Sequence, residues 1–152
     1  MNIVLLNPEI PYNTGNIGRT CLITNTTLHL IEPLGFSLEQ KQIKRAGLDY
    51  WKRVKLVVWK SYDEFIEKNS DKRIFYATTK TKNSYTDVKF EKDDFIMFGP
   101  ESRGIPEEIL KANKKMCITI PMRKRLKRSL NLSNSAAIIL YEALRQNNFE
   151  FK

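Results

Sequence analysis

CITIPMRKRLKRSLNLSNSAAIILYEALRQ, residues 117 to 146, puts a buried strand, a basic loop and an amphipathic helix in succession, and the rest of the chain is read outward from it. Cys117, Ile118 and Ile120 read as a short core strand that Pro121 ends, because proline has no N–H to give to a ladder. Open α/β sheets receive ligands in the loops beyond the carboxyl ends of their strands, so binding or catalysis is expected in the loop from Pro121 to Leu132. There Arg123, Lys124, Arg125, Lys127 and Arg128 place five cations in six residues, a poor ingredient for a core and a good one for gripping phosphates. Either Ser133 or Asn134 is suited to cap the helix that Ala136, Ala137, Leu140, Tyr141 and Leu144 continue on one apolar face.

Upstream, Asn2 to Asn7 is an apolar run closed by Pro8, with no charge on either face, as in a central parallel strand. A loop held open by Pro8, Pro11, Asn13 and Gly15 is expected next, then a helix carrying Ile17, Cys21 and Leu22. Further strands are expected at Thr27 to Ile31, Leu56 to Trp59, Arg73 to Thr78 and Phe95 to Phe98. Helices are expected at Glu39 to Ala46, stopped by Gly47, at Tyr62 to Lys68 behind a Ser61/Glu64 capping box, and at Pro106 to Lys111 with proline in the first position. This alternation predicts an α/β fold, a mainly parallel sheet with helices on both faces. A chain of 152 residues with 41% hydrophobic content fits one domain with one full core.

The 26 Lys and Arg against 17 Asp and Glu give a formal net charge of +9, which favours an acidic partner such as folded RNA or DNA, solubility being the plainer explanation. Cys21 and Cys117 are too few for a disulfide framework and sit in apolar company, so a reducing, cytoplasmic compartment is expected. The opening MNIVLLNPEIP has no basic leader and its apolar run is too short to span a membrane. The lone His29, between Leu28 and Leu30 with no Cys or carboxylate at ligand spacing, reads as structural, and no metal site is expected. No Ser-His-Asp set or paired catalytic carboxylate can be assembled.

Three polar loops each follow a strand: Asn13 to Arg19, Gly99 to Pro106, and Arg123 to Asn134. Parallel strands would open all three on one edge of the sheet. Taken singly they are weak. Gly15-x-x-Gly18 is an incomplete glycine fingerprint, FGPESRGIP lacks the Gly-Lys-Ser/Thr of a phosphate-cradling loop, and Glu101 and Arg103 could merely neutralise one another. Tyr50 and Trp51 beside Lys52 and Arg53 could be core or could stack on RNA.

Together, NTGNIGR at 13–19, FGPESRGIP at 98–106, and IPM at 120–122 with SLNLSNSAAIILYEA at 129–143 resemble the three motifs of the SPOUT superfamily of RNA methyltransferases. The opening NPEIPYNTGNIGR, the segment RAGLDYW and the short length are similar to the branch that methylates the ribose 2′-hydroxyl of the tRNA wobble nucleotide, a cytidine or a carboxymethylaminomethyl-type uridine. The resemblance runs from Asn2 to about Arg145, and the loop after Met122 is one residue longer and more basic than the family's usual one. It implies a deep C-terminal trefoil knot, which ordinary topology rules argue against, S-adenosylmethionine as cofactor, tRNA as substrate and a homodimer. Carried across by motif, Arg19, Asn13, Glu101, Ser129 and Asn131 stand at the family's catalytic or substrate-facing places. Ala77, Thr78, Gly99, Ile120, Met122, Ser129 and Leu130 would hold the cofactor. The competing readings are a non-catalytic RNA-binding protein that uses only the basic loop, and a nucleotide-binding oxidoreductase with Glu32 as its ribose-binding acid. The homodimer interface is expected on the first and last helices, through Ile17, Cys21, Ile139 and Leu140.

Overall fold

A computed structural model describes residues 1–39 and 49–151. The elements run β1 (Asn2–Leu6), α1 (Pro11–Ile23), β2 (Thr27–Ile31), a 3-10 turn (Trp51–Arg53), β3 (Leu56–Trp59), α2 (Tyr62–Lys68), β4 (Ile74–Ala77), β5 (Phe95–Phe98), α3 (Glu107–Ala112), β6 (Cys117–Ile118) and α4 (Leu132–Gln146). Among the described residues six strands form one sheet in the order β3-β2-β1-β5-β4-β6. Every pairing is parallel.

Alternation along each strand divides the apolar side chains between two faces. Ile3, Leu5, Leu28, Leu30, Ile96 and Phe98 join Ile17 and Cys21 of α1 and Ile139 and Leu140 of α4 in one cluster. Val4, Leu6, Ile31, Phe95 and Met97 join Phe65 of α2 and Leu110 of α3 in the other. Helices therefore cover both faces, as expected. Strands β2, β3 and β5 and helix α2 lie at the expected residues, and β1 and β4 are slightly shorter. Ser61 caps α2 as expected, its Oγ accepting the Glu64 N–H at 3.1 Å, but the return bond of the box is shifted by one residue, Glu64 accepting from Lys60 N–H at 2.7 Å rather than from Ser61 N–H. In the expected helix Glu39 to Ala46, residues 40–46 lie outside the described residues, as do residues 45–48 of RAGLDYW.

Four local expectations are corrected. The stretch Asn13 to Arg19 is helix, because α1 begins at Pro11, whose fixed φ suits the first helical position and whose missing N–H is not needed there. Gly15 and Gly18 thus sit inside a helix, at a cost of about 1 kcal/mol each relative to alanine. Close packing explains Gly18, since a Cβ there would fall 2.6 Å from Trp51 Cζ3. The cap of α4 is Asn131, whose side chain accepts from the N–H groups of Ser133 and Asn134. Pro106 is the residue before α3 rather than its first, and β6 stops at Ile118, short of Ile120.

The outer edge of β6 is covered by the segment that leaves β4. Thr119 N–H donates to Asn83 O, Tyr85 N–H to Thr119 O, and Asn83 Nδ2 to Cys117 O. On the other side Tyr76 and Ala77 of β4 pair with Cys117 and Ile118. Residues 117–119 therefore run between β4 and residues 83–85. From α4, Gln146 bonds both the Phe90 N–H and Val88 O, which ties the last helix to the same segment.

Candidate functional site

A cleft of about 480 Å³ opens at the carboxyl ends of β4, β5 and β6, between the start of α1 and the approach to α4. Two loops meet at its rim through their carboxylates. Ile10 offers no side-chain cap to α1, and Glu101 supplies one from across the sheet, accepting from Glu9 N–H at 2.8 Å and Ile10 N–H at 3.1 Å. A negative charge there is favoured by the free N–H groups and the dipole of the helix start. Glu9 returns the contact, its carboxylate accepting from Ser102 Oγ at 2.7 Å and Ser102 N–H at 3.2 Å.

Glu101 also accepts from Asn13 Nδ2 at 3.4 Å, Asn13 Oδ1 accepts from Asn131 Nδ2 at 3.0 Å, and Asn131 Oδ1 accepts from Ser133 Oγ at 2.6 Å. One chain of hydrogen bonds thus joins a residue from each of the three motifs. The reading of Glu101 and Arg103 as a mutually neutralising pair is corrected: the carboxylate is spent on α1 and Asn13.

Asn13, Glu101, Ser129 and Asn131 line the cleft, and so do Ala77, Thr78, Gly99, Ile120, Met122 and Leu130. Arg19 does not. It follows Asn13 by six residues on α1, which carries its side chain about 9 Å along and well round the helix, and it lies exposed with its guanidinium 5.8 Å from the ring of Tyr50. Tyr50 donates its hydroxyl to Gly15 O at 2.9 Å. Burial raises the pKa of Tyr50, and the Arg19 cation works against that rise. Arg123, Lys124, Arg125, Lys127 and Arg128 are all exposed, outside the cleft lining.

The cleft suits S-adenosylmethionine in size and in mixed chemistry: Ile120, Leu130 and Ile139 give apolar wall, and Thr78 and Ser129 give polar groups. Leu130 is 37% exposed, an apolar side chain left open to the cleft. Gly99 is required by the loop itself, since a Cβ there would lie 2.2 Å from Gly104 C and Ile105 N. Sequence reasoning missed the Glu9–Ser102 contact, which no periodicity could mark. It also missed the capping role of Glu101, for which the weak cap residue Ile10 before Pro11 was an available sign.

His29 is buried with both ring nitrogens partnered, as a structural role requires. Trp59 Nε1–H can only donate, so His29 Nδ1 accepts it at 3.1 Å and the proton on Nε2 faces Asn2 Oδ1 at 3.1 Å. Burial lowers its pKa to about 4. No group of three or more His, Cys, Asp or Glu suited to a metal ion occurs among the described residues, and no described helix is long and apolar enough to cross a membrane.

The family model described as "SpoU rRNA Methylase family" matches residues 1–141. A relative from Listeria innocua serovar 6a is 54% identical over 97% of this chain and 89% of its own length. One from Methylovorus glucosotrophus, named tRNA (cytidine(34)-2'-O)-methyltransferase, is 48% identical over 97% of this chain and 96% of its own. A solved structure from Bacillus anthracis superposes with a TM-score of 0.91 at 51% identity, covering 97% of this chain and 94% of that one. Another, described by the words "Structural insights into the 2-OH methylation of C/U34 on tRNA", gives 0.89 at 42% identity over 97% and 95%.

Proposed function

The chain belongs to the SpoU rRNA Methylase family, and on that premise we propose that it is a tRNA 2′-O-methyltransferase that modifies the wobble nucleotide with S-adenosylmethionine as methyl donor. The observation that carries the reading is the hydrogen-bonded chain Glu101–Asn13–Asn131 at the mouth of a cleft suited to the cofactor. Relatives with the same named activity align over nearly the whole chain.

Ala77, Thr78, Gly99, Ile120, Met122, Ser129 and Leu130 would hold the cofactor, with Ile120 and Leu130 against its adenine. Bound there, S-adenosylmethionine would supply a sulfonium methyl group for in-line attack by the ribose 2′-oxygen. Asn13, Ser129 and Asn131 orient the ribose, and Glu101 fixes Asn13 by accepting its Nδ2–H. Arg19 serves as a cation for the developing alkoxide. A guanidinium holds its proton too tightly to act as the base, so the proton leaves to a phosphate or to water. Positioning supplies much of the remaining acceleration. Arg123, Lys124, Arg125, Lys127 and Arg128 meet tRNA phosphates.

The working unit is a homodimer of single-domain chains in the cytoplasm. Its expected interface residues are replaced: Ile17, Cys21, Ile139 and Leu140 are at most 1% exposed and belong to the chain's own core. The outer stripes of the same two helices take their place, with Tyr12 and Ile23 on α1 and Ile138 and Tyr141 on α4 exposed by 37% to 64%. Arg19 stands within the α1 stripe, so this association sets its guanidinium against the partner subunit and brings it to an acceptor held between the copies. The passage of residues 117–119 between β4 and residues 83–85, with α4 tied to the same segment, supports a C-terminal trefoil knot.

Incubating the protein with labelled S-adenosylmethionine and tRNA, followed by mass mapping, should place one methyl group on the ribose of the wobble nucleotide. Methyl found on a base or at another position, or none at all, would overturn the reading.

A further inference from the structure

Beside the cleft lies a second concavity of about 490 Å³, between the start of the segment after β4 and helix α3, with Cys117 of β6 on its wall. It meets the cleft at Thr78 and Lys80, which line both. Lys80, Lys82, Lys111 and Lys114 line it against a single carboxylate, Glu107. Glu107 is shared by two of them, at 3.0 Å from Lys80 Nζ and 4.0 Å from Lys111 Nζ. Lys82 and Lys114 are exposed and have no carboxylate within ion-pair distance among the described residues.

Four ammonium groups on so small a surface repel one another, and one carboxylate leaves three charges uncompensated. Gathered round one concavity, they attract a polyanion far better than the same cations scattered. The groove rises from the α3 face of the sheet, whereas α1 and α4 cover the other, so the proposed dimer leaves it open. It is separate in the chain from the Arg123–Arg128 loop. We propose that this lysine groove is a second RNA-binding surface, on which backbone phosphates flanking the nucleotide in the cleft are held by Lys80, Lys82, Lys111 and Lys114. The proposal rests on the tRNA methyltransferase reading given above. Continuity at Lys80 is what makes RNA the fitting partner: a strand with one nucleotide in the cleft must leave it carrying a phosphate at each step.

The test uses the intact protein with a tRNA substrate and measures binding across a salt series. The double variant Lys82→Ala/Lys114→Ala should weaken tRNA binding roughly five- to tenfold at physiological salt. Its plot of log affinity against log salt should be shallower by about 1.4 to 1.8, the release expected for two lost phosphate contacts. Calorimetry should give an unchanged affinity for S-adenosylmethionine, because neither lysine lines the cleft. Glu107→Gln should act in the opposite sense, tightening tRNA binding by roughly two- to threefold as Lys80 and Lys111 lose their carboxylate. Impaired folding could not imitate that gain. Wild-type affinity and slope in the double variant, or weaker binding in Glu107→Gln, overturns the groove while the methyltransferase reading stands. A wild-type protein that neither binds nor methylates tRNA overturns both.

Discussion

Two polar networks, each made of side chains from distant parts of the chain, stand on the same sheet with opposite fates. Asn2, His29 and Trp59 are linked beneath aromatic rings, His29 lying 5.1 Å from Phe95 and stacked at 6.1 Å on Trp59. Glu101, Asn13 and Asn131 are linked just as directly but open onto the cleft. Asparagine does not separate them, since each contains it. What separates them is the space beside them: burial keeps His29 neutral at neutral pH, while the second network keeps groups facing a cleft that a substrate can enter.

The sharpest way to break the contrast is Glu101→Ala, which strips the acceptor from two backbone N–H groups and from Asn13. Methyl transfer in single-turnover assays should fall by about 10³-fold if the open network orients the acceptor. The loss of the α1 cap should also lower stability by about 1 kcal/mol in urea unfolding. A variant of normal rate would reduce this network to a second structural one.

Arg19→Ala tests the neighbouring exposed face. A fall of about 100-fold in rate is expected, with unfolding and cofactor affinity unchanged, and Arg19→Lys should recover only part of it because an ammonium lacks the planar fork. Loss of cofactor binding in Arg19→Ala would join Arg19 to the cofactor site.

The histidine network should reveal itself through pH. The folded-state pKa of His29, about 4, lies below the unfolded value of about 6.5, so the unfolded chain binds the extra proton between them. Stability is unaffected by this group above about pH 7 and falls as pH drops, by about 2 kcal/mol between pH 7 and pH 5. Unfolding of His29→Gln, compared with wild type across that range, should lack this component. Methylation by the variant at neutral pH and saturating substrate should be little changed, and a selective loss of rate would tie the histidine network to catalysis.

The smallest effect is expected from the basic loop. Lys124→Ala/Lys127→Ala should weaken tRNA binding a few-fold and flatten its salt dependence by about one to two units of slope. Normal binding at every salt concentration would leave these cations as a solvated face.

Much of the architecture was legible because it rests on short-range pattern. Apolar runs at Thr27–Ile31 and Phe95–Phe98 lie at the strands found, and Ser61 with Glu64 marks α2. Misreadings arose where a distant partner decides a local outcome. NTGNIGR looks like a loop by its glycines, yet Pro11 starts the helix early, Glu101 bonds the Ile10 N–H from 91 residues away and Trp51 fills the space that Gly18 leaves. The apolar residues on α1 and α4 were countable, but which of them face outward depends on how the helices sit on the sheet. Family resemblance, more than spacing, gathered Asn13, Glu101 and Asn131 into one site. Local rules do not bring Asn13 and Asn131 together across 118 residues.

The cover over β6 carries a consequence for life in a crowded solution. A parallel sheet that ended in bare N–H and C=O groups would offer a template for another chain to extend, the first step toward fibrous aggregates. Here residues 83–85 already take up the bonding groups beside Cys117 and Thr119. On this side β6 is paired within its own chain, so its bonding groups are not left for a stray strand to copy.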